Sequence, residues 1–319
     1  MDAATAATAS VPAMAALAAV VLGVAAWVGA TPWRTRWRRR RIAARPFPAP
    51  WRQILRRRVP MVARLPVPAQ QRLKRLVQVF IAEKPFIGCQ GQAIDDEVRV
   101  TIAAQAALLL LGQARDDVYP ALRQVLVYPA GFVVARVQQA PGGVQHEGPQ
   151  VMSGESWQQG QVVLSWPDVL AGAADPDDGE NVVLHEFAHQ IDQDKGEADG
   201  QPWRPTRAAR RRWRTVIDQT LAALRQQQSW RAQRASEAAA WARSLAAGVM
   251  PPGPAPAPMP PDVLGDYAAQ SPAELLAVAT ERFFERPDAL AVAWPALYAE
   301  LQALYRLDPR AWERPPAAG

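Results

Sequence analysis

Residues 181–192 read Asn181-Val182-Val183-Leu184-His185-Glu186-Phe187-Ala188-His189-Gln190-Ile191-Asp192, and the fold is decided inside this stretch. On a helix, two histidines four apart share one face with their Cβ atoms about 5–6 Å apart, so both imidazoles reach a single tetrahedral zinc ion. The helix itself follows from the apolar face of Phe187, Ala188 and Ile191. Ahead of it, Asp177-Asp178-Gly179-Glu180 offers a turn with capping residues and negative charge suited to a helix N-terminus, and the pattern fades near Gly196. Glu186 then sits beside the ion without ligating it, placed to take a proton from a metal-acidified water and pass it to a departing amine. That is the chemistry of peptide-bond hydrolysis. The competing explanation is a pair of core histidines, but of the chain's three histidines two fall in this pattern. The third, His146, stands in a Gly-rich polar stretch and is expected in a loop.

A chain of 319 residues with 49% hydrophobic content can bury a substantial core. Its charge is uneven: the first 60 residues hold 11 arginines against the single acid Asp2, while the remainder is mildly acidic. The excess is a short block, so direct binding of nucleic acid is not expected despite a pI near 10.0. The block follows an uncharged run from Val11 to Ala30, which as a helix reaches roughly 30 Å, the thickness of a hydrocarbon core. Trp27 and Trp33 suit the membrane interface. Residues 1–33 therefore read as an N-terminal transmembrane anchor. By the positive-inside rule Arg34, Arg36 and Arg38 to Arg41 stay cytoplasmic, giving a single-pass protein of a bacterial inner membrane with its large domain inside. The same arginines can hold anionic lipid headgroups. A soluble, cytoplasmic Ala-rich extension is the alternative. A cleaved signal peptide fits less well, because no basic residue precedes the apolar run and no small-x-small site follows it. Cys89 is the sole cysteine, so no intrachain disulfide forms, and a small buried hydrophobe is its expected role.

The proline- and arginine-rich residues 34–67 are expected to be a juxtamembrane linker. Folding should begin near Ala69, with a domain over 68–310 and a flexible tail over 311–319. Helical periods cover Gln70 to Glu83 and Val100 to Leu111. Gln124 to Tyr128 and Phe132 to Val137 read as strands joined in a hairpin by Pro129-Ala130-Gly131, and Gln161 to Trp166 reads as a third strand whose edge could hold an extended substrate. Arg204 to Leu224 fits an amphipathic helix, and Met250 to Pro261 is a proline-dense loop.

A catalytic zinc needs a third protein ligand and an open position. Beyond the proline loop, Tyr267-Ala268-Ala269-Gln270-Ser271-Pro272-Ala273-Glu274 supplies Glu274, followed by a helical run. The same residues match a capping box, with Ser271 at N-cap, Pro272 at N1 and Glu274 reaching back. Spacing alone leaves both open. Glu281, two turns on, is either a ligand itself or a partner for the free N–H of a histidine ring.

HEFAH followed far downstream by YAAQSPAE resembles the Mlc titration factor A (MtfA) family of zinc-dependent peptidases. The resemblance runs from about Pro68 to Pro309 through IAAQAALLLLG at 102–112, GESWQQGQVVLSW at 154–166 and the final LYRLDP. It implies an α+β fold of the zincin type (gluzincin, lethal-factor-like), mostly helical with a small mixed sheet. It implies zinc on His185, His189 and Glu274, Glu186 as general base, and Tyr267 as the phenol that donates to the tetrahedral oxyanion. A peptide substrate, aminopeptidase activity and a partner repressor of the Mlc (DgsA) type are further implications, the last with or without catalysis. The chain departs from the family pattern at Leu275 and Leu276, where phenylalanines are usual, and in its N-terminal anchor.

Overall fold

The computed structural model describes residues 3–113, 117–130, 132–139, 145–152, 154–157, 160–193, 196, 198–250, 253–254 and 262–312. The expected loop over 250–261 and the tail beyond 312 fall largely outside them. The chain divides into two units, Met1–Pro46 and Phe47–Gly319. The first is one helix, α1 (Ala3–Ala43), which is long and apolar enough to cross a membrane. Its apolar side chains Leu17, Val20, Val21, Leu22 and Val24 are all exposed.

The second unit starts earlier than expected. Residues of the supposed linker form α2 (Ala49–Arg58) and α3 (Met61–Arg64), and they bury Ile54, Leu55, Val59, Met61, Val62 and Leu65. The prolines that suggested an extended linker sit at helix starts, where a missing N–H costs nothing. α4 (Val67–Glu83) and α5 (Asp96–Leu108) follow, the latter capped by Asp95, whose Oδ1 accepts from Val98 N at 2.9 Å. α5 is buried nearly all round; its alanines 103, 104, 106 and 107 let α4 and the helices behind it approach closely.

The sheet has the order β1-β2-β6-β5. β1 (Phe86–Gly88), β2 (Gln124–Tyr128) and β6 (Gln161–Ser165) run parallel, and β5 (Gly154–Trp157) closes the edge antiparallel to β6. The expected hairpin between residues 124–128 and 132–137 does not form. β2 pairs with β1 and β6, whereas β3 (Phe132–Gln139) pairs with β4 (Gln145–Met152) in a separate two-stranded ribbon. His146 lies in that ribbon opposite Gln138 instead of in a loop. β6, flanked on both sides, has no free edge to offer a substrate; among the described residues β5 holds that position.

α6 (Trp166–Ala174) leads directly from β6 to α7 (Val182–Asp192), the histidine helix. α8 (Arg207–Ala246) is much longer than the amphipathic segment expected, and beyond Leu224 it buries no side chain. α9 (Pro272–Glu285), α10 (Pro287–Ala293) and α11 (Pro295–Tyr305) complete the unit. Phe187 of α7 sits in a cluster with Phe80 and Tyr119, ring centroids 5.7 and 4.7 Å away, which presses the apolar face of α7 into the core and turns its histidines outward toward α9. Cys89 is half-buried beside Tyr128.

Candidate metal centre

Asn181 starts the site. It is the N-cap of α7, its Oδ1 accepting from Leu184 N at 3.0 Å, so the cap is Asn181 itself and not the acidic turn before it. Its Nδ2 donates to Gly172 O at 2.8 Å and to Glu285 Oε1 at 2.9 Å, and its backbone N donates to Glu281 Oε2 at 2.6 Å. One asparagine therefore fixes the start of α7 against both α6 and α9. From that start, one turn on, His185 faces α9, and His189 follows on the same face with the ring centroids 5.0 Å apart.

α9 begins with Ser271, whose Oγ accepts from Glu274 N at 3.2 Å. The Glu274 carboxylate does not fold back to complete a capping box. Its Oε2 lies 3.2 Å from His185 Nε2 and 3.6 Å from His189 Nε2. A tetrahedral ion with bonds of about 2.0–2.1 Å separates its ligand atoms by roughly 3.3–3.4 Å, which is close to the distance of the Glu274 oxygen from each imidazole. The three residues form the one His/Cys/Asp/Glu group among the described residues whose ligand atoms converge, all within 4.8 Å of one another. Two imidazoles and one carboxylate are the donor set of a catalytic zinc with an open fourth position.

Glu281 belongs to the layer behind. Its Oε1 is 2.8 Å from His185 Nδ1, the ring nitrogen turned away from Glu274. A proton held on Nδ1 by this carboxylate leaves the Nε2 lone pair pointing at the three-residue centre. The electrostatics agree with a site for positive charge. Burial opposes charge on His185, yet hydrogen bonds to Glu274 and Glu281 hold its imidazole well above the usual value. Burial likewise opposes the Glu274 anion, and the two histidines still pull its carboxyl far below the carboxylate range.

Glu186 is 3% exposed and His189 8%. Glu186 and His185 line a cavity of about 620 Å³ together with the segment Leu264-Gly265-Asp266-Tyr267. Tyr267 stands on a 3-10 turn, Tyr267–Ala269, with its ring centroid 5.9 Å from that of His185. Of the five residues singled out in the sequence, His185, His189 and Glu274 converge as possible ligands, and Glu186 and Tyr267 line the cavity that His185 also lines. Sequence reasoning missed Asn181 as a hub and Glu285 behind it. An asparagine four residues before the first histidine, at the expected helix start, was the available signal.

Residues 33–306 match the family described as Glucose-regulated metallo-peptidase M90. The chain belongs to that family. The "Uncharacterized protein slr2042" of Synechocystis sp. is 33% identical over 291 residues, covering 91% of this chain and 95% of that protein. The protein named Mlc titration factor A from Pectobacterium atrosepticum is 32% identical over 74% of this chain and 78% of its own length. Its namesake from Serratia proteamaculans is 30% identical over 72% and 77%. The M90 match starts at residue 33, well before Pro68, in keeping with the folded helices α2 and α3. As a metallopeptidase family, M90 implies a metal ion, typically zinc, and peptide substrates.

Proposed function

We propose that the protein is a membrane-tethered zinc peptidase of zincin type, in the gluzincin, lethal-factor-like group, acting as an aminopeptidase. The observation that carries this reading is the spacing of His185 Nε2, His189 Nε2 and Glu274 Oε2. When bound there, zinc supplies Lewis-acid polarisation of the scissile carbonyl and acidifies water. Glu186, buried beside His185 and open to the cavity, takes the proton of the attacking water and returns it to the leaving amine. Tyr267, across the cavity, donates its phenolic hydrogen to the oxyanion as charge develops on the former carbonyl. β5, the sheet's edge and a neighbour of α7, offers main-chain hydrogen bonds to an extended peptide.

The metal content of purified protein and hydrolysis of a panel of amino-terminal and internal peptides test this assignment. Glu186→Gln should retain about one zinc per chain and lose hydrolysis; turnover at the wild-type rate would refute the assigned base. A panel cleaved only at internal bonds would refute the aminopeptidase preference while leaving the chemistry intact.

The names of the relatives motivate a second role, binding of a transcriptional repressor of the Mlc (DgsA) type. Pulldown with Glu186→Gln separates the two, since titration by binding survives the loss of catalysis. The arginine-flanked helix α1 supports a single pass with the catalytic unit on the cytoplasmic side and anionic lipid against the arginines.

A further inference from the structure

We infer that Arg225, Gln228 and Arg231 of α8 are positioning residues for Tyr267, an inference that rests on the catalytic reading of that tyrosine. These three side chains are spaced three apart, so they wind along one side of the helix just past Leu224, the last side chain that α8 buries. Each grips the chain around Tyr267. Arg225 Nε donates to Ala269 O at 3.3 Å, Gln228 Nε2 donates to Asp266 O at 2.9 Å, and Arg231 pairs with the Asp262 carboxylate. Arg231 also lies 3.8 Å from Asp266. Asp262 carries the grip onward: its Oδ1 accepts from Leu264 N at 3.2 Å and Gly265 N at 2.9 Å.

The gripped segment lines the same cavity as Glu186 and His185. Its other side is held from α9, where Arg282 Nε donates to Val263 O at 2.9 Å. Leu264, Ala268 and Ala269 are buried and hold the segment to the core, but between them Gly265 has φ +74 and open space where a side chain would be. Tyr267 itself is 42% exposed. Core packing thus holds the residues on either side, while the stretch that carries the phenol beside His185 is also held by polar contacts from α8. These are charge-assisted and amide hydrogen bonds to the main-chain carbonyls of Asp266 and Ala269, on either side of Tyr267, and to the Asp262 carboxylate.

A purely structural role for the row would cost stability without acting through Tyr267, and a double-mutant cycle separates the two. Arg231→Gln, Gln228→Ala, Tyr267→Phe and the combined variants are assayed in the full chain on a fluorogenic aminoacyl amide or peptide that the wild-type protein cleaves. Zinc content and melting temperature are recorded alongside. Arg231→Gln and Gln228→Ala should each lower kcat about tenfold or more with KM within about twofold, and add nothing in the Tyr267→Phe background. Arg231→Lys, which keeps the charge, should recover most of the loss. Backbone amides of residues 264–270 should exchange with solvent faster in Arg231→Gln, a readout independent of turnover. Additive losses, or an unchanged exchange pattern, overturn the positioning role and leave Tyr267 as the phenol. If Tyr267→Phe itself keeps the wild-type kcat, the catalytic reading of Tyr267 fails, and the positioning role falls with it.

Discussion

Glu281 and Glu285 sit one helical turn apart on α9 and meet the same asparagine, yet the physics gives them opposite tasks. Glu281 shares its two oxygens between His185 Nδ1 and Asn181 N, so each oxygen has its own partner. Replacing it by glutamine leaves one acceptor where two are needed and removes the charge that fixes the His185 tautomer. Glu281→Gln should therefore weaken zinc binding about 10–100-fold, read by competition with a chromophoric chelator, with the helical content unchanged. Glu285 is buried and accepts from Asn181 Nδ2, and burial, opposed by the Asn181 bond and assisted by the negative charge of Asp178 and Glu281, pushes its carboxyl up to about 9. A folded-state value above the ordinary 4.5 means that the protonated form is favoured in the fold. That contribution is complete below pH 4.5 and is lost as pH rises toward about 9. Asp192, raised by burial to about 7, has the same sign. Glu285→Gln, neutral at every pH, should flatten the fall of melting temperature between pH 5 and 9; an identical slope in the variant would contradict the assignment.

At the scale of elements, the N-cap of α7 is tied to the last turns of α9 through Glu281 and Glu285. Asn181→Ala removes the α7 cap and leaves Glu285 without its amide donor, so melting temperature should drop by an amount equivalent to about 1–3 kcal/mol. Gly200 holds the C-terminal side of α7 to α8: its N donates to Asp192 Oδ2 at 2.6 Å, its O accepts from Trp213 Nε1 at 2.6 Å, and its φ is +73. A Cβ there would lie 2.4 Å from Pro272 C at the start of α9, so Gly200→Ala should lower thermal stability and zinc content together. These elements differ in how far the sequence discloses them. α7 is legible because helical periodicity and the metal-ligand spacing coincide in the same residues. Glu274 is ambiguous because a capping box and a zinc ligand both call for a glutamate at the third position of a helix after Ser-Pro; here Ser271 takes the capping role and the Glu274 side chain goes to the histidines. Parallel pairing is illegible. β1 is three residues long, and Pro129-Ala130-Gly131 looks like a hairpin turn although β2 pairs with a strand some thirty residues later, a long-range choice that no local signal encodes. The outer half of α8 lacks an apolar period, since polar contacts to the Tyr267 segment replace core burial there.

At the scale of the whole molecule, the metal centre draws every residue it uses from the unit Phe47–Gly319, whereas α1 belongs to Met1–Pro46. α1 has no buried apolar side chain among its described positions, whereas the core residues lie in the unit Phe47–Gly319. The helices after it are a different matter. α2 packs against α5 and buries Ile54 and Leu55, and Arg58 pairs with Glu97 in the first turn of α5. A truncation that starts at Phe47 should therefore give a folded protein with unchanged zinc stoichiometry and the turnover of the full chain. One that starts at Pro68 exposes the apolar surface covered by Ile54, Leu55, Val59, Met61, Val62 and Leu65. At roughly 1.5–3 kcal/mol for each large aliphatic side chain no longer buried, that loss rivals the whole stability of a domain of this kind. The shorter form should aggregate or melt far lower, as measured by thermal denaturation and gel filtration. Flotation with vesicles of anionic phospholipid completes the comparison. The full chain should float with the lipid and the Phe47 form should stay in the soluble fraction at physiological salt, and equal flotation of both would assign membrane contact to the catalytic unit instead of α1.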